Sequence, residues 1–160
     1  MYSVRQANTK DRETIVRLLR QASVSDWGVE CHPENFLMVD DCRSHQSVGT
    51  VGLEVYGTKG VLRSFVLEKR FRNAKSILEL IGVILSHVQR SSLQEIYLIT
   101  GINPDIFQVF GFEPLDWESL PEEIRSSAQN RNVGPQEGIP MIYRCGNNSS
   151  TKIEWDSKKV

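Results

Sequence analysis

Four positions carry the chemistry that this sequence offers most plainly. Glu54, Arg63 and Ser64 lie on either side of the turn signal Gly57-Thr58-Lys59-Gly60, so a hairpin brings them onto neighbouring strands. A carboxylate such as Glu54 accepts a proton, and an arginine such as Arg63 grips a carboxylate through two parallel N–H donors. Ser64 can orient water or a small polar ligand. Adjacent strand residues point to opposite faces, so at most one of Arg63 and Ser64 enters a given pocket unless the strand bulges. Glu30, in the loop ahead of these strands, is a second candidate carboxylate. The bland alternative is a surface ion pair between Glu54 and Arg63, since charged hairpin pairs are common and individually weak.

Two further clusters invite chemistry. Lys69-Arg70-Phe71-Arg72-Asn73-Ala74-Lys75 puts positive charge just ahead of a long apolar-periodic segment. Read from the residues alone, this is a solvated helix start. Cys31-His32 and Cys42-x-x-His45 supply four zinc-ligand side chains. Their spacing matches no established finger, and the adjacent Cys31 and His32 rarely aim at one metal, so no metal site is assigned. Asn147-Asn148-Ser149 has the pattern of a glycosylation sequon. Residues 1–6 lack the basic-then-apolar layout of a secretory leader, so the pattern is read as chance.

Hydrophobic periodicity sets the elements that must hold these groups. Residues 2–6 read as a strand. Ile15, Leu18, Leu19 and Ala22 recur at helical spacing within 10–22, with Thr9 as the expected N-cap. Residues 23–34 are mixed and polar, a loop or short helix. Segments 36–39, 48–56 and 61–67 read as strands joined by short turns, hence antiparallel. Ile77, Leu78, Leu80, Ile81, Ile84, Leu85 and Val88 define the longest helix, 75–90, whose wide apolar stripe belongs on a sheet. Residues 95–100 form the next strand, and strands bracketing such a helix predict parallel pairing through a right-handed crossover. A helix capped by Asn103 ends at Gly111 as a left-handed residue. Then come a strand at 112–115, a helix opening on the capping box Ser119-Leu120-Pro121-Glu122, and a strand at 139–144 that closes the sheet.

The expected fold class is therefore α/β, with a central mixed sheet of about six to seven strands and helices on both faces. Residues 1–145 form one domain in this reading, and 146–160 a polar, flexible tail. Length supports that, since 160 residues suit a single domain. With 39% hydrophobic and 24% charged residues the composition is that of a soluble globular chain, which excludes collagenous, fibrous and fully disordered classes. Lys plus Arg number 19 against 20 Asp plus Glu, so no broad field favours nucleic acid or an anionic membrane. No segment approaches the ~20 apolar residues of a membrane span. Three cysteines are too few and too odd for a disulfide framework and fit a cytoplasmic setting.

The element order, taken with two segments, resembles the GCN5-related N-acetyltransferase family. The segments are Leu62-Arg63-Ser64-Phe65-Val66-Leu67-Glu68-Lys69-Arg70-Phe71-Arg72-Asn73-Ala74-Lys75-Ser76-Ile77 and Pro104-Asp105-Ile106-Phe107-Gln108-Val109-Phe110-Gly111-Phe112-Glu113-Pro114. The run Val51-Gly52-Leu53-Glu54-Val55-Tyr56-Gly57 ahead of Leu62-Arg63-Ser64 is most similar to small amino-acid N-acetyltransferases of the arsenic-resistance and N-acetylglutamate-synthase-like type. The resemblance implies a fourth strand that splays from the fifth, with the pantetheine arm of acetyl-CoA held by backbone groups at Val66 and Leu67. It implies that Arg72, Asn73, Ala74, Lys75, Ser76 and Ile77 cradle the pyrophosphate. The family loop reads Arg or Gln, two residues, Gly, one residue, then Gly or Ala. Arg72 matches, but Lys75 and Ile77 stand where the glycines stand, so the loop is degenerate. Lys75 offers a phosphate a point charge, whereas the branched Ile77 crowds a close backbone approach.

The activity implied is acetyl transfer to the primary amine of a small molecule, an amino acid in the closer branch. An ammonium cannot attack a thioester, so Glu54 or Glu30 takes a proton as general base. Arg63 anchors a substrate carboxylate, and Ser64 joins it in the substrate-binding set. Phe107 stands where many members place the tyrosine that protonates the departing thiolate; a thiol of pKa about 8.5 leaves without that help, and Phe107 reads first as a core aromatic. The resemblance is compatible with a homodimer. The lost glycines and missing tyrosine keep a second reading open, a catalytically inactive acetyltransferase-like binding or regulatory module.

Overall fold

The computed structural model describes residues 1–22, 32–101, 104–130 and 133–145. In chain order the elements are β1 Tyr2–Gln6, α1 Arg12–Gln21, β2 Phe36–Asp41, β3 Gln46–Tyr56, β4 Lys59–Leu67, α2 Ala74–Gln89, β5 Glu95–Thr100, α3 Asp105–Gln108, β6 Glu113–Pro114, α4 Glu122–Asn130 and β7 Ile139–Arg144. The strands form one mixed sheet in the order β1-β2-β3-β4-β5-β7-β6. This is the α/β architecture that the periodicity predicts. One placement differs. Strand β7 does not close the sheet at its margin but inserts between β5 and β6, antiparallel to both. Met141, Ile142 and Tyr143 are consecutive and all buried, the mark of a strand covered on both faces.

By internal contacts the chain divides into two compact units, and the first comprises Met1–Glu54 and Leu62–Arg90. Its organising strand is β2. Phe36 and Met38 pack with Ile15, Leu18 and Leu19 of α1. Val39 packs with Leu80 of α2, and Leu37 with Ile84. Successive strand residues point to opposite faces, so α1 and α2 cover the two sides of β2. All four of these β2 residues are at most 1% exposed, which is why the segment reads as an unbroken apolar run.

The entry to α1 corrects the expected cap. Asn8, not Thr9, caps the short 3-10 turn that leads into the helix. Its Oδ1 accepts from the Lys10 N–H, while Asp11 Oδ2 accepts from the Asn8 N–H. Asp11 was free to serve both the cap and β1: its carboxylate also takes Arg5 Nη1 and Nη2 at 2.8 and 2.9 Å. Arg5 Nε reaches Asp40 on β2 at 2.8 Å, and Ser47 donates to the same carboxylate. One guanidinium thus ties β1, β2 and the α1 entry together.

The second unit comprises Val55–Val61 and the chain from Ser91 onward. Strand β4 runs parallel to β5 through Lys59, Gly60 and Val61, opposite Glu95, Ile96 and Tyr97. Leu120 and Ile124, at the entry to α4, pack on Val61, Tyr97 and Ile142. Phe107 and Phe112 meet edge to face at 5.8 Å, and Phe112 leans on Tyr143 at 5.3 Å. Phe107 is therefore a core aromatic. The helix that carries it is shorter than expected: α3 stops at Gln108 and a turn carries the chain to Gly111 at φ +100°, where a side chain would be strained. Its expected cap, Asn103, lies outside the described residues. Among the described residues no helix is long and apolar enough to cross a membrane.

The Arg5 cluster generates a stability prediction. Asp11 is held below its ordinary carboxylate value, chiefly by the Arg5 hydrogen bond, with help from the Asn8 N–H and against the effect of burial. Its contribution is therefore whole above the ordinary carboxylate range and is lost as pH falls through the folded-state value. Asp11→Asn should cost about 1–2 kcal/mol in urea unfolding near neutral pH. It should also flatten the acid limb of the stability curve; an unchanged acid limb would show that the carboxylate contributes nothing there.

Candidate active site

Within the first unit, β3 delivers Glu54 and β4 delivers Arg63 and Ser64, and the three meet. Arg63 Nε lies 3.5 Å from Glu54 Oε1, and the two side chains are only 7% and 14% exposed. The pair is real, but it is not the surface pair of the bland alternative. Nor is it a formed hydrogen bond: Arg63 Nε is buried and makes none, and 3.5 Å is longer than an N–H···O bond. Arg63 Nη1 donates to Ser64 Oγ at 3.3 Å, and the guanidinium sits 5.4 Å over the Phe36 ring.

Two backbone features make this arrangement possible. Ser64 has φ +54°, a left-handed residue in the middle of a strand. Such a residue breaks the alternation of faces, as a bulge does, and lets the side chains of neighbours 63 and 64 touch. Strict alternation would have parted them. Gly52 on β3 supplies the room. A Cβ there would stand 3.0 Å from Arg63 Cγ, 3.2 Å from Arg63 O and 3.5 Å from the Phe36 ring. Phe36 and Gly52 are the site residues that sequence reasoning missed. The signal was present, because a glycine inside a strand often marks a close approach.

Beyond Ser64 the strand is buried again at Val66 and Leu67. Arg72 is exposed, yet its Nε donates to the Leu67 carbonyl at 2.7 Å. Asn73 caps α2, its Oδ1 accepting from the Ser76 N–H at 2.9 Å. Ser76 Oγ lies 3.0 Å from the Tyr2 hydroxyl, and Ile77 is half-buried. Ala74 and Lys75 face solvent, and the first turn holds no acidic side chain. Neither Lys75 nor Ile77 has a left-handed φ. Side chains at these two positions therefore impose no backbone strain, whatever space they occupy.

The remaining candidates are not brought together. Glu30 and Cys31 lie outside the described residues. Cys42 and His45 are exposed, and His32 pairs with Glu34 at 3.4 Å. Among the described residues no three His, Cys, Asp or Glu side chains gather as metal ligands. A cavity of about 530 Å³ is lined by α1 residues including Arg12, Arg17 and Arg20, and none of the predicted site residues contributes to that lining.

A left-handed residue within β4, a parallel β4–β5 ladder through Lys59, Gly60 and Val61, and a capped helix after β4 belong to a recognisable class: the fold is that of the GCN5-related N-acetyltransferases. One similar structure is N-acetylglutamate synthase from Neisseria gonorrhoeae complexed with coenzyme A and N-acetyl-glutamate. It has a TM-score of 0.69 and 16% identity over 91% of this chain and 35% of that one, so the chain spans about a third of that synthase. Another is an acetyltransferase of the GNAT family from Staphylococcus aureus Mu50, at TM-score 0.60 and 18% identity over 91% of this chain and 99% of that one. No family model matches the chain. In sequence it is 30% identical over 147 residues to the uncharacterised protein YwlB of Bacillus subtilis (strain 168), covering 90% of this chain and 97% of that protein. The chain belongs to the family of YwlB.

The packing around Arg63 predicts that Gly52→Ala destabilises the protein by about 1–3 kcal/mol, because the new methyl meets Arg63 with Phe36 behind it. Denaturant unfolding checks this, and a neutral Gly52→Ala would show that the guanidinium is free to shift.

Proposed function

We propose that this chain transfers an acetyl group from acetyl-CoA to the primary amine of a small molecule, with an amino acid as the acceptor class. The observation that carries the reading is a buried guanidinium on β4, the strand that leads into a basic, capped helix start, facing a carboxylate on β3. The fold supports it, since the solved structures it resembles include a synthase complexed with coenzyme A. The loop residues suit a diphosphate. Arg72 and Lys75 put two cations beside the α2 N-terminus, where helix geometry leaves first-turn N–H groups for an anion. Helical backbone at Lys75 and Ile77 means that the missing glycines cost no strain.

Acetyl-CoA, when bound, supplies an activated acyl group on a thiolate that leaves readily. In this reading the chain does the rest. Arg63 holds the carboxylate of the acceptor, and Ser64 Oγ steadies the guanidinium. Glu54 takes the proton that the ammonium must lose before its nitrogen can attack, directly or through water. Glu30 is the alternative base. Backbone groups at Val66 and Leu67 receive the pantetheine arm, and Arg72 releases the Leu67 carbonyl to do so.

A second reading is a non-catalytic acetyltransferase-like module. It is favoured by the way Arg72 and Asn73 already occupy the Leu67 carbonyl and the Ser76 N–H, and by Phe107, which has no proton to give.

Calorimetric titration with acetyl-CoA separates the two readings. Micromolar binding is expected, and Lys75→Glu should weaken it about ten-fold with a clear salt dependence. In an amine-acetylation assay Glu54→Gln should lower kcat by about 100-fold or more while leaving acetyl-CoA affinity unchanged. Neither heat nor thermal stabilisation at millimolar acetyl-CoA would overturn the transferase and leave the module.

A further inference from the structure

Two of the arginine–carboxylate pairs among the described residues differ sharply in quality. Arg5 and Asp11 are joined by two aligned bonds of 2.8 and 2.9 Å, with Asp40 completing the set. That is how this fold closes an ion pair that holds elements together. Arg63 is far more buried than Arg5, at 7% against 41% exposed, yet it stands 3.5 Å from Glu54, leaving a buried Nε–H without a bond. Burial should have favoured the tighter geometry. A cation out of water with an unfilled donor is among the costliest arrangements a core can keep. Such a group calls for an explanation, and a ligand that fills it is one.

We propose that Glu54 is a placeholder in the carboxylate seat of Arg63, and that the acceptor's carboxylate displaces it. The inference rests on the acetyl-transfer reading and adds how the acceptor is selected. Because Nε is shielded from solvent, an incoming carboxylate reaches it only when Glu54 swings away. The exchange puts a bidentate partner on Arg63 and turns the Glu54 carboxylate toward the ammonium of the same molecule. There it accepts one proton from that ammonium, leaving the neutral amine. An amine without a carboxylate leaves Glu54 engaged with Arg63. Selectivity for amino acids is then a matter of turnover as well as of binding.

The exchange has a sign that a merely structural pair lacks. If Glu54 competes for the seat, removing its charge must tighten carboxylate binding, even though it slows acetylation. The probe is propionate, which carries the carboxylate and no amine, titrated into the full chain without acetyl-CoA. Heteronuclear NMR follows the Arg63 Nε–H signal, assigned through Arg63→Lys. In the unsubstituted protein this signal should move and saturate as propionate fills the seat. Glu54→Gln should bind propionate about ten-fold more tightly, the effect of removing a competitor worth one decade in affinity. The double variant E54Q/R63M, which replaces the buried charge by an apolar side chain, should bind none.

An Arg63 Nε–H signal that ignores propionate overturns the proposal without needing any variant to fold. So does equal or weaker binding by a folded Glu54→Gln protein. Acetyl-CoA binding with a silent Arg63 signal would sink the exchange and spare the transferase. The converse, the expected propionate behaviour without acetyl-CoA binding, would support the seat and remove the transferase.

Discussion

A guanidinium buried in a sheet constrains everything around it. The Arg63 side chain is 7% exposed, so its charge must be met by protein rather than by water. Phe36 supplies an aromatic face, Glu54 an opposite charge, and Ser64 an oxygen. Gly52 supplies an absence, the missing Cβ that would otherwise occupy the same space. None of these works on regular strands. The left-handed backbone at Ser64 brings the hydroxyl to the guanidinium, and an L-residue pays for that conformation in strain. The strain and the buried charge sit side by side, the combination expected of a functional site rather than of a stable core.

How much of this was legible follows from what each signal encodes. The Leu80–Val88 stripe and the apolar run at 36–39 report burial directly, so α2 and β2 stand where periodicity puts them. The place of β7 between β5 and β6 was not legible, because alternation marks a strand and says nothing of its neighbours. The cap of the turn into α1 is Asn8 rather than Thr9, and Asp11 reciprocates it, a pairing that residue type alone does not single out. At the site, the partnership of Glu54 with Arg63 could be read from hairpin spacing. Its burial could not, because Phe36 is remote in sequence and only the folded sheet brings it beneath Arg63.

The loop after β4 shows how a lost motif is physically absorbed. A glycine is needed where the backbone turns left-handed or where another group must come very near. At Lys75 and Ile77 the first reason does not hold, because both continue an ordinary helix. Asn73 satisfies one first-turn N–H, and Arg72 reaches back to the end of β4, so the helix start is finished by the chain's own side chains. Cap and tether each stabilise the turn on the scale of about 1 kcal/mol, which is also the scale on which a ligand would have to compete with them.

The sheet's margins bear on how copies of the chain can meet. At one margin β6 is only two residues long, and one of them, Pro114, has no N–H. At the other, the Tyr2 N–H of β1 is already taken by the Glu79 carboxylate of α2. Backbone ladders between molecules need a run of open donors and acceptors, and among the described residues each margin interrupts that run at one residue. Each interruption works against cross-molecular strand addition at its own position, the kind of feature by which sheet proteins resist setting into fibres.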